Sequence, residues 1–287
     1  MVTAPAGPAA RYAPELGLAE AAAREAGAII LRHYHRGSDV RIEIKPDQSP
    51  VTEADLDANR AIIERLRAAF PDDGILSEEL PDSADRLGRH RVWIVDPLDG
   101  TRDFLARTDQ FCVHVGLAVD GVAVVGAVYQ PVAGLLFSAQ AGAGAFMATA
   151  DGSSPPVRLQ TSRVAAPADM RVGVGRLDPA GRLGTALAAA GLDSRVVALG
   201  ASVKYLALAR GALDLVVNLS PGEQEWDTCA PEVVLREAGG MLTDGDGQPF
   251  RYNQRDPSHR RGSLASNGVG HAAALALLGP HFAADTI

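Results

Sequence analysis

Two aspartates three residues apart, Asp96 and Asp99, follow the apolar run Trp93-Ile94-Val95 in the segment Asp96-Pro97-Leu98-Asp99-Gly100-Thr101. The run reads as a buried strand that proline stops, and Gly100 lets the backbone approach a ligand closely. Two carboxylates on one rigid turn repel each other unless a cation lies between them. That is the chemistry of a divalent-metal site with hard oxygen ligands. The same residues also fit a capped turn opening a helix, with Asp99 and Thr101 as caps. Other acidic segments have to decide between the two.

Ser77-Glu78-Glu79 ends a second short apolar run, Gly74 to Ser77. Glu78 would share a rim with Asp96 if the two strands are neighbours; otherwise the pair is a solvated acidic loop. Asp227, in Trp226-Asp227-Thr228-Cys229, reads as the N-cap of a mostly apolar helix. Beside Trp226 and Cys229 it also reads as a partly buried carboxylate in need of a partner. Together Glu78, Asp96, Asp99 and Asp227 would hold two cations about 3.5–4 Å apart, as in metal-assisted hydrolysis. Oxygen donors favour Mg2+ over Zn2+. Thr101 lies close enough in sequence to orient the attacking water, with Asp55 behind it as proton acceptor. Thr52-x-x-Asp55 equally resembles a capping box.

The elements that must position these groups follow from periodicity. Helices are predicted over Leu16–Tyr34, stopped by Gly37, and Thr52–Phe70, stopped by Pro71. Alternation of Val40, Ile42 and Ile44 with polar residues suggests a half-exposed strand, followed by a polar loop from Lys45 to Pro50. Phe111–Phe146 reads as antiparallel sheet, with a hairpin turned at Asp120-Gly121. After the small, polar, proline-rich stretch Asp151–Pro156, strands alternate with helices. We therefore expect an α+β unit over 1–152 carrying most metal ligands and an α/β unit over 153–287 carrying Asp227 and substrate-side residues. Trp93 and Phe104 are expected in the core, and His114 as a satisfied interior residue.

With 287 residues, 47% of them hydrophobic, the chain can bury a substantial core. A net charge of −8 and the lack of a basic arm argue against a nucleic-acid polymer as partner. An acidic protein handling an anion needs local positive charge, which bound metal supplies. The only cysteines, Cys112 and Cys229, lie far apart in sequence, and no apolar run reaches membrane-spanning length. The expectation is a soluble cytoplasmic protein.

Glu78-Glu79, Asp96 to Thr101 and Trp226-Asp227 resemble the signature segments of the inositol monophosphatase superfamily, in order and spacing, over Lys45 to Asn267. The resemblance implies a layered αβαβα sandwich, a lithium-sensitive Mg2+-dependent phosphatase and a homodimer. Lys45 to Asp55, Asp227 to Glu232 and Gly200-Ala201-Ser202-Val203-Lys204 are most similar to the 3'(2'),5'-bisphosphate nucleotidase branch, CysQ-type in bacteria. Arg102-Asp103 departs from the Lys-Glu usual there, replacing a point charge with a guanidinium fork.

By this resemblance Glu78, Asp96 and the Leu98 carbonyl would hold a first Mg2+, and Asp96, Asp99 and Asp227 a second. A third, weaker one would lie near Glu78 and Asp55. Glu78 and Thr101 would orient the water, with Asp55 behind. The amides of Gly100 and Thr101 would receive the phosphate, and Lys204 and Arg102 the uncleaved one. The implied activity is removal of the 3'-phosphate of adenosine 3',5'-bisphosphate, or of its 5'-phosphosulfate relative, by metal-activated water. Competing readings are an inositol-phosphate or other small sugar-phosphate phosphatase, and a non-catalytic sensor of metal or phosphometabolite.

Overall fold

The computed structural model describes residues 11–36, 41–45, 50–175 and 177–282. Gly37, Val40 and the 46–49 part of the polar loop lie outside the described residues. Helix α1 spans Ala13–His35, and α2 spans Glu53–Ala69. Between them β1 (Ile42–Ile44) and β2 (Pro50–Thr52) form an antiparallel pair. β1 is not half-exposed: Ile42 and Ile44 are 49% and 61% exposed. Nothing but β2 pairs with it, so its alternation finds no core to face.

A seven-stranded sheet follows in chain order: β3 (Gly74–Ser77), β4 (Arg91–Asp99), β5 (Cys112–Val119), β6 (Val122–Gln130), β7 (Leu135–Gln140), β8 (Ala145–Thr149) and β9 (Val157–Arg158). β3 is parallel to β4, and the later neighbours are antiparallel. The Asp120-Gly121 turn takes φ of 51° and 75°, the left-handed pair a tight hairpin requires. Short helix α3 (Thr101–Ala106) leads from β4 towards β5.

The second sheet has order β11-β10-β12-β14-β13, from β10 (Val172–Val174), β11 (Val196–Ala198), β12 (Leu215–Asn218), β13 (Met241–Thr243) and β14 (Ser263–Ser266). It is mixed, with β10 parallel to β11 and β12 while β14 runs antiparallel to both its neighbours. Helices α4 (Arg182–Ala189), α5 (Val203–Ala209), α6 (Glu225–Glu237) and α7 (His271–Phe282) complete the chain. β14 and α7 escape the sequence pattern. Ser263-Leu264-Ala265-Ser266 is buried throughout and does not alternate, while α7 has a proline near its end.

Three apolar cores separate five layers. Ala22, Ala26 and Ile30 of α1 and Ile62 and Leu66 of α2 pack on Trp93, Val113 and Val115 of the first sheet. Val233 and Val234 of α6 fill the space between Val128 and Phe137 of that sheet and Val216 and Ala265 of the second. Leu187 of α4 and Leu278 of α7 cover Val172, Leu215 and Leu264 on the far face. The result is the αβαβα sandwich. Trp93 and Phe104 are buried as expected. Among the described residues no helix is long and apolar enough to cross a membrane.

Helix α6 reaches the first sheet through glycines. A Cβ on Gly126 would sit 2.3 Å from the Ala230 carbonyl oxygen, and one on Gly116 2.7 Å from Cys229 Sγ. Gly126→Ala therefore overpacks the α6–sheet contact. It should cost about 1–3 kcal/mol, read as a lower urea midpoint; an unchanged midpoint would mean that α6 yields freely.

Candidate active site

β4 does not stop at Pro97. It continues to Asp99, with Asp96 opposite His114 and Asp99 opposite Cys112, three steps on β4 against two on β5. The extra residue is a bulge, and Pro97, which has no N–H, is tolerated there because a bulge breaks the ladder. In an unbroken strand residues three apart face opposite sides. The bulge removes that obstacle: one oxygen from each of Asp96, Asp99 and Asp227 comes within 4.8 Å of the others. Past the bulge, Gly100 takes φ 96° before α3 begins at Thr101.

Asp227 reaches this point from α6, which begins at Glu225, earlier than predicted, so that Asp227 lies within its first turn. The cap is Gln224, not Asp227, and its N–H donates to Asp227 Oδ2 at 2.7 Å. Glu225 and Trp226 join the first turn because the chain before them is already tied down: Glu225 N donates to the Pro257 carbonyl. Asp227 thus occupies the acidic place of a capping box.

β3 and β4 are neighbours, with Ser77 opposite Val95, so Glu78 emerges beside Asp96. Lys45 Nζ donates to Glu78 at 2.8 Å and Glu79 at 2.6 Å, a pairing that local periodicity does not reveal. Asp55, fully buried, accepts from the Thr52 N–H at 2.8 Å and from the Thr52 hydroxyl. Its other oxygen accepts from the Thr101 hydroxyl at 3.0 Å. The capping box and the link to Thr101 therefore coexist on one side chain. The Leu98 carbonyl lies 3.3 Å from the same hydroxyl.

The electrostatics ask for a cation. Burial, and then the charges of Glu78, Asp99 and Asp227, push the Asp96 carboxyl well above its usual range. Burial and Asp99 do the same to Asp227. Burial lifts Asp55 to about 6 and Glu79 to about 7, despite the hydrogen bonds that oppose it. Asp99 differs. Burial raises it, but His114, Lys204 and the Ser202 N–H, which donates at 2.6 Å, hold it below the ordinary value. Hard oxygen donors, packed together in a buried place and short of positive charge, fit a divalent ion of the Mg2+ class.

Lys204 lies on α5, its ammonium donating to the Ala201 carbonyl at 2.8 Å and resting over the Tyr205 ring. Arg102 is exposed. With Thr108, Gln110, Leu177, Leu199 and Gly200 it lines a cavity of about 720 Å3. Gln110 Oε1 accepts from the Gly200 N–H, fixing that wall next to Ser202 and hence Asp99.

The inositol monophosphatase family model matches residues 12–281. The chain belongs to the inositol monophosphatase family. It is a metal-dependent phosphomonoesterase acting on a phosphorylated small molecule. It is 32% identical over 241 residues to the 3'(2'),5'-bisphosphate nucleotidase CysQ of Escherichia coli K12, covering 82% of this chain and 92% of that one. It is 36% identical over 243 residues to a histidinol-phosphatase of Mycobacterium tuberculosis, covering 84% and 88%. The crystal structure of CysQ from Bacteroides thetaiotaomicron superposes with a TM-score of 0.75 at 28% identity, covering 90% and 98%.

Asp96→Asn tests the cluster without reference to substrate. Removing one buried charge relieves repulsion, so the metal-free variant should melt no lower than the parent, while the rise in Tm on adding Mg2+ should disappear. Phosphatase activity should fall by at least about a thousandfold, a barrier increase of about 4 kcal/mol. An undiminished Mg2+ response in differential scanning fluorimetry would remove Asp96 from the site.

Proposed function

We propose that this phosphatase removes the 3'-phosphate of adenosine 3',5'-bisphosphate, or of its 5'-phosphosulfate relative, with two Mg2+ ions. The observation that carries the reading is the convergence of Asp96, Asp99 and Asp227 beside Lys204 and an open cavity, at a site where the chain resembles CysQ proteins. Glu78, Asp96 and the Leu98 carbonyl would hold one ion, and Asp96, Asp99 and Asp227 the other. Glu78 and Asp55 are the place for a weaker third. Bound magnesium supplies positive charge to the phosphate oxygens and acidifies water.

The remaining work belongs to the chain. The Thr101 hydroxyl has one proton, and with that proton donated to Asp55 its lone pairs are free to accept from water. Glu78 fixes the same water from the other side, and Asp55 receives the proton through Thr101. The N–H groups of Gly100 and Thr101, at the start of α3, hold the phosphate being cleaved. Lys204 and Arg102 meet the phosphate that stays, and the cavity that Arg102 lines accepts the nucleoside. Both cysteines are free thiols, which fits a reducing cytoplasm. The homodimer implied by resemblance is part of the same reading.

One observation favours a second substrate. The histidinol-phosphatase relative is at least as similar in sequence as the nucleotidases, and the family embraces inositol phosphates. A panel of adenosine 3',5'-bisphosphate, histidinol phosphate, inositol 1-phosphate and fructose 1,6-bisphosphate with Mg2+ separates them. The nucleotide should have the highest kcat/KM; preference for any of the others overturns the nucleotidase reading. Lys204→Ala should raise KM for the nucleotide at least about tenfold, a loss of about 1.4 kcal/mol, and change single-phosphate substrates little. Equal effects on all four would assign Lys204 to structure alone.

A further inference from the structure

Behind Asp99 lies a second group of donors that the magnesium cluster does not use. Cys112 and His114 are two apart on β5, so they share a face of the strand, and the bulge places Asp99 directly opposite Cys112. Cys112 Sγ, a ring nitrogen of His114 and an Asp99 oxygen all lie within 4.8 Å of one another. Cys112 and His114 are completely buried.

The orientation of the imidazole is the decisive observation. Its Nδ1 lies 3.1 Å from the Trp226 carbonyl oxygen, which can only accept, so Nδ1 carries the hydrogen. Nε2 then faces the Asp99 carboxylate at 3.2 Å, yet makes no hydrogen bond among the described residues. His114 is the interior residue its apolar strand suggested, satisfied by a hydrogen bond at Nδ1 but not at Nε2. Nε2 and a carboxylate oxygen face each other without a hydrogen bond, and a proton or a metal ion belongs between them. A backbone carbonyl fixing the distal N–H is also the arrangement that orients a metal-binding histidine. The adjacent thiol supplies a third donor, one that a proton has no use for and a soft cation does.

We propose that Asp99, Cys112 and His114 form a mixed sulfur, nitrogen and oxygen site for a Zn2+-class ion, sharing Asp99 with the magnesium cluster. These donor types suit zinc. A bound cation takes the thiolate and releases the thiol proton to solvent. Occupancy draws on the carboxylate that magnesium needs, so zinc opposes magnesium here through a ligand in common. Cys229, the other buried thiol, belongs to no such group among the described residues.

Co2+ added to the full chain after metal removal by chelation reads the site directly. Cobalt held by carboxylates alone gives no thiolate band. Cobalt held by Cys112 gives thiolate-to-metal absorption in the near ultraviolet, saturating at one equivalent and abolished by added Zn2+. The band should vanish in Cys112→Ser, with an unchanged circular dichroism spectrum, and persist in Cys229→Ser. Absence of the band in the parent chain, or its survival in Cys112→Ser, overturns the proposal. If Cys112→Ser does not fold, X-ray absorption of the Zn2+-loaded parent decides. One sulfur at about 2.3 Å supports the site, and a shell of light atoms alone refutes it. Hydrolysis is not the readout, so this outcome is independent of the nucleotide assignment.

Discussion

Carboxylates crowded into a buried place are the constraint to which the rest of the structure answers. Asp96 is sequestered from water and feels the charges of Glu78, Asp99, Asp227 and Asp55. Gathering such groups is costly without compensating charge, and covalent connectivity alone would let them drift apart. The fold holds them by four independent means. These are the bulge in β4, the parallel pairing of β3 with β4, the capping of α2 and the docking of α6 through Gly126 and Gly116. Each lies in regular structure, so the oxygen positions are set before any ion arrives, which is the preorganisation that metal-assisted catalysis exploits.

The basic groups around the cluster divide the labour. Lys45 spans Glu78 and Glu79 at one edge, while His114 and Lys204 act on Asp99 at the other. The centre, Asp96 and Asp227, has no basic side chain within hydrogen-bonding reach among the described residues. That gradient favours a divalent ion in the middle and leaves the Lys204 side available to a second anionic group.

Much of this was legible in the residues. Asp96, Asp99, Glu78 and Asp227 could be named because strand ends and a helix start put carboxylates at rims; the structure brings Asp96, Asp99 and Asp227 together and sets Glu78 at the end of the strand beside Asp96. Three features resisted. A proline ordinarily ends a strand, so the continuation of β4 through Pro97 was invisible without its partner β5. The cap of α6 fell on Gln224, a weak capping residue, because Pro257 anchors the preceding turn from a distance. His114 on an apolar strand looked inert, and only the approach of Trp226 from another layer shows which nitrogen is engaged. All three depend on contacts between segments far apart in the chain, where local periodicity is blind.

Asp55 and Asp227 each perform two tasks. Besides standing in the cluster, both accept the N–H of the residue that caps their own helix. Asp96 and Glu78 cap no helix. A descendant released from any need for turnover would still be under pressure to keep the first two, since losing either frays a helix end. The other two would be free to drift. In reading distant sequences built on this scaffold, then, retained aspartates at the helix starts speak for foldedness, and the strand-end acids are the more informative witnesses of a living enzyme.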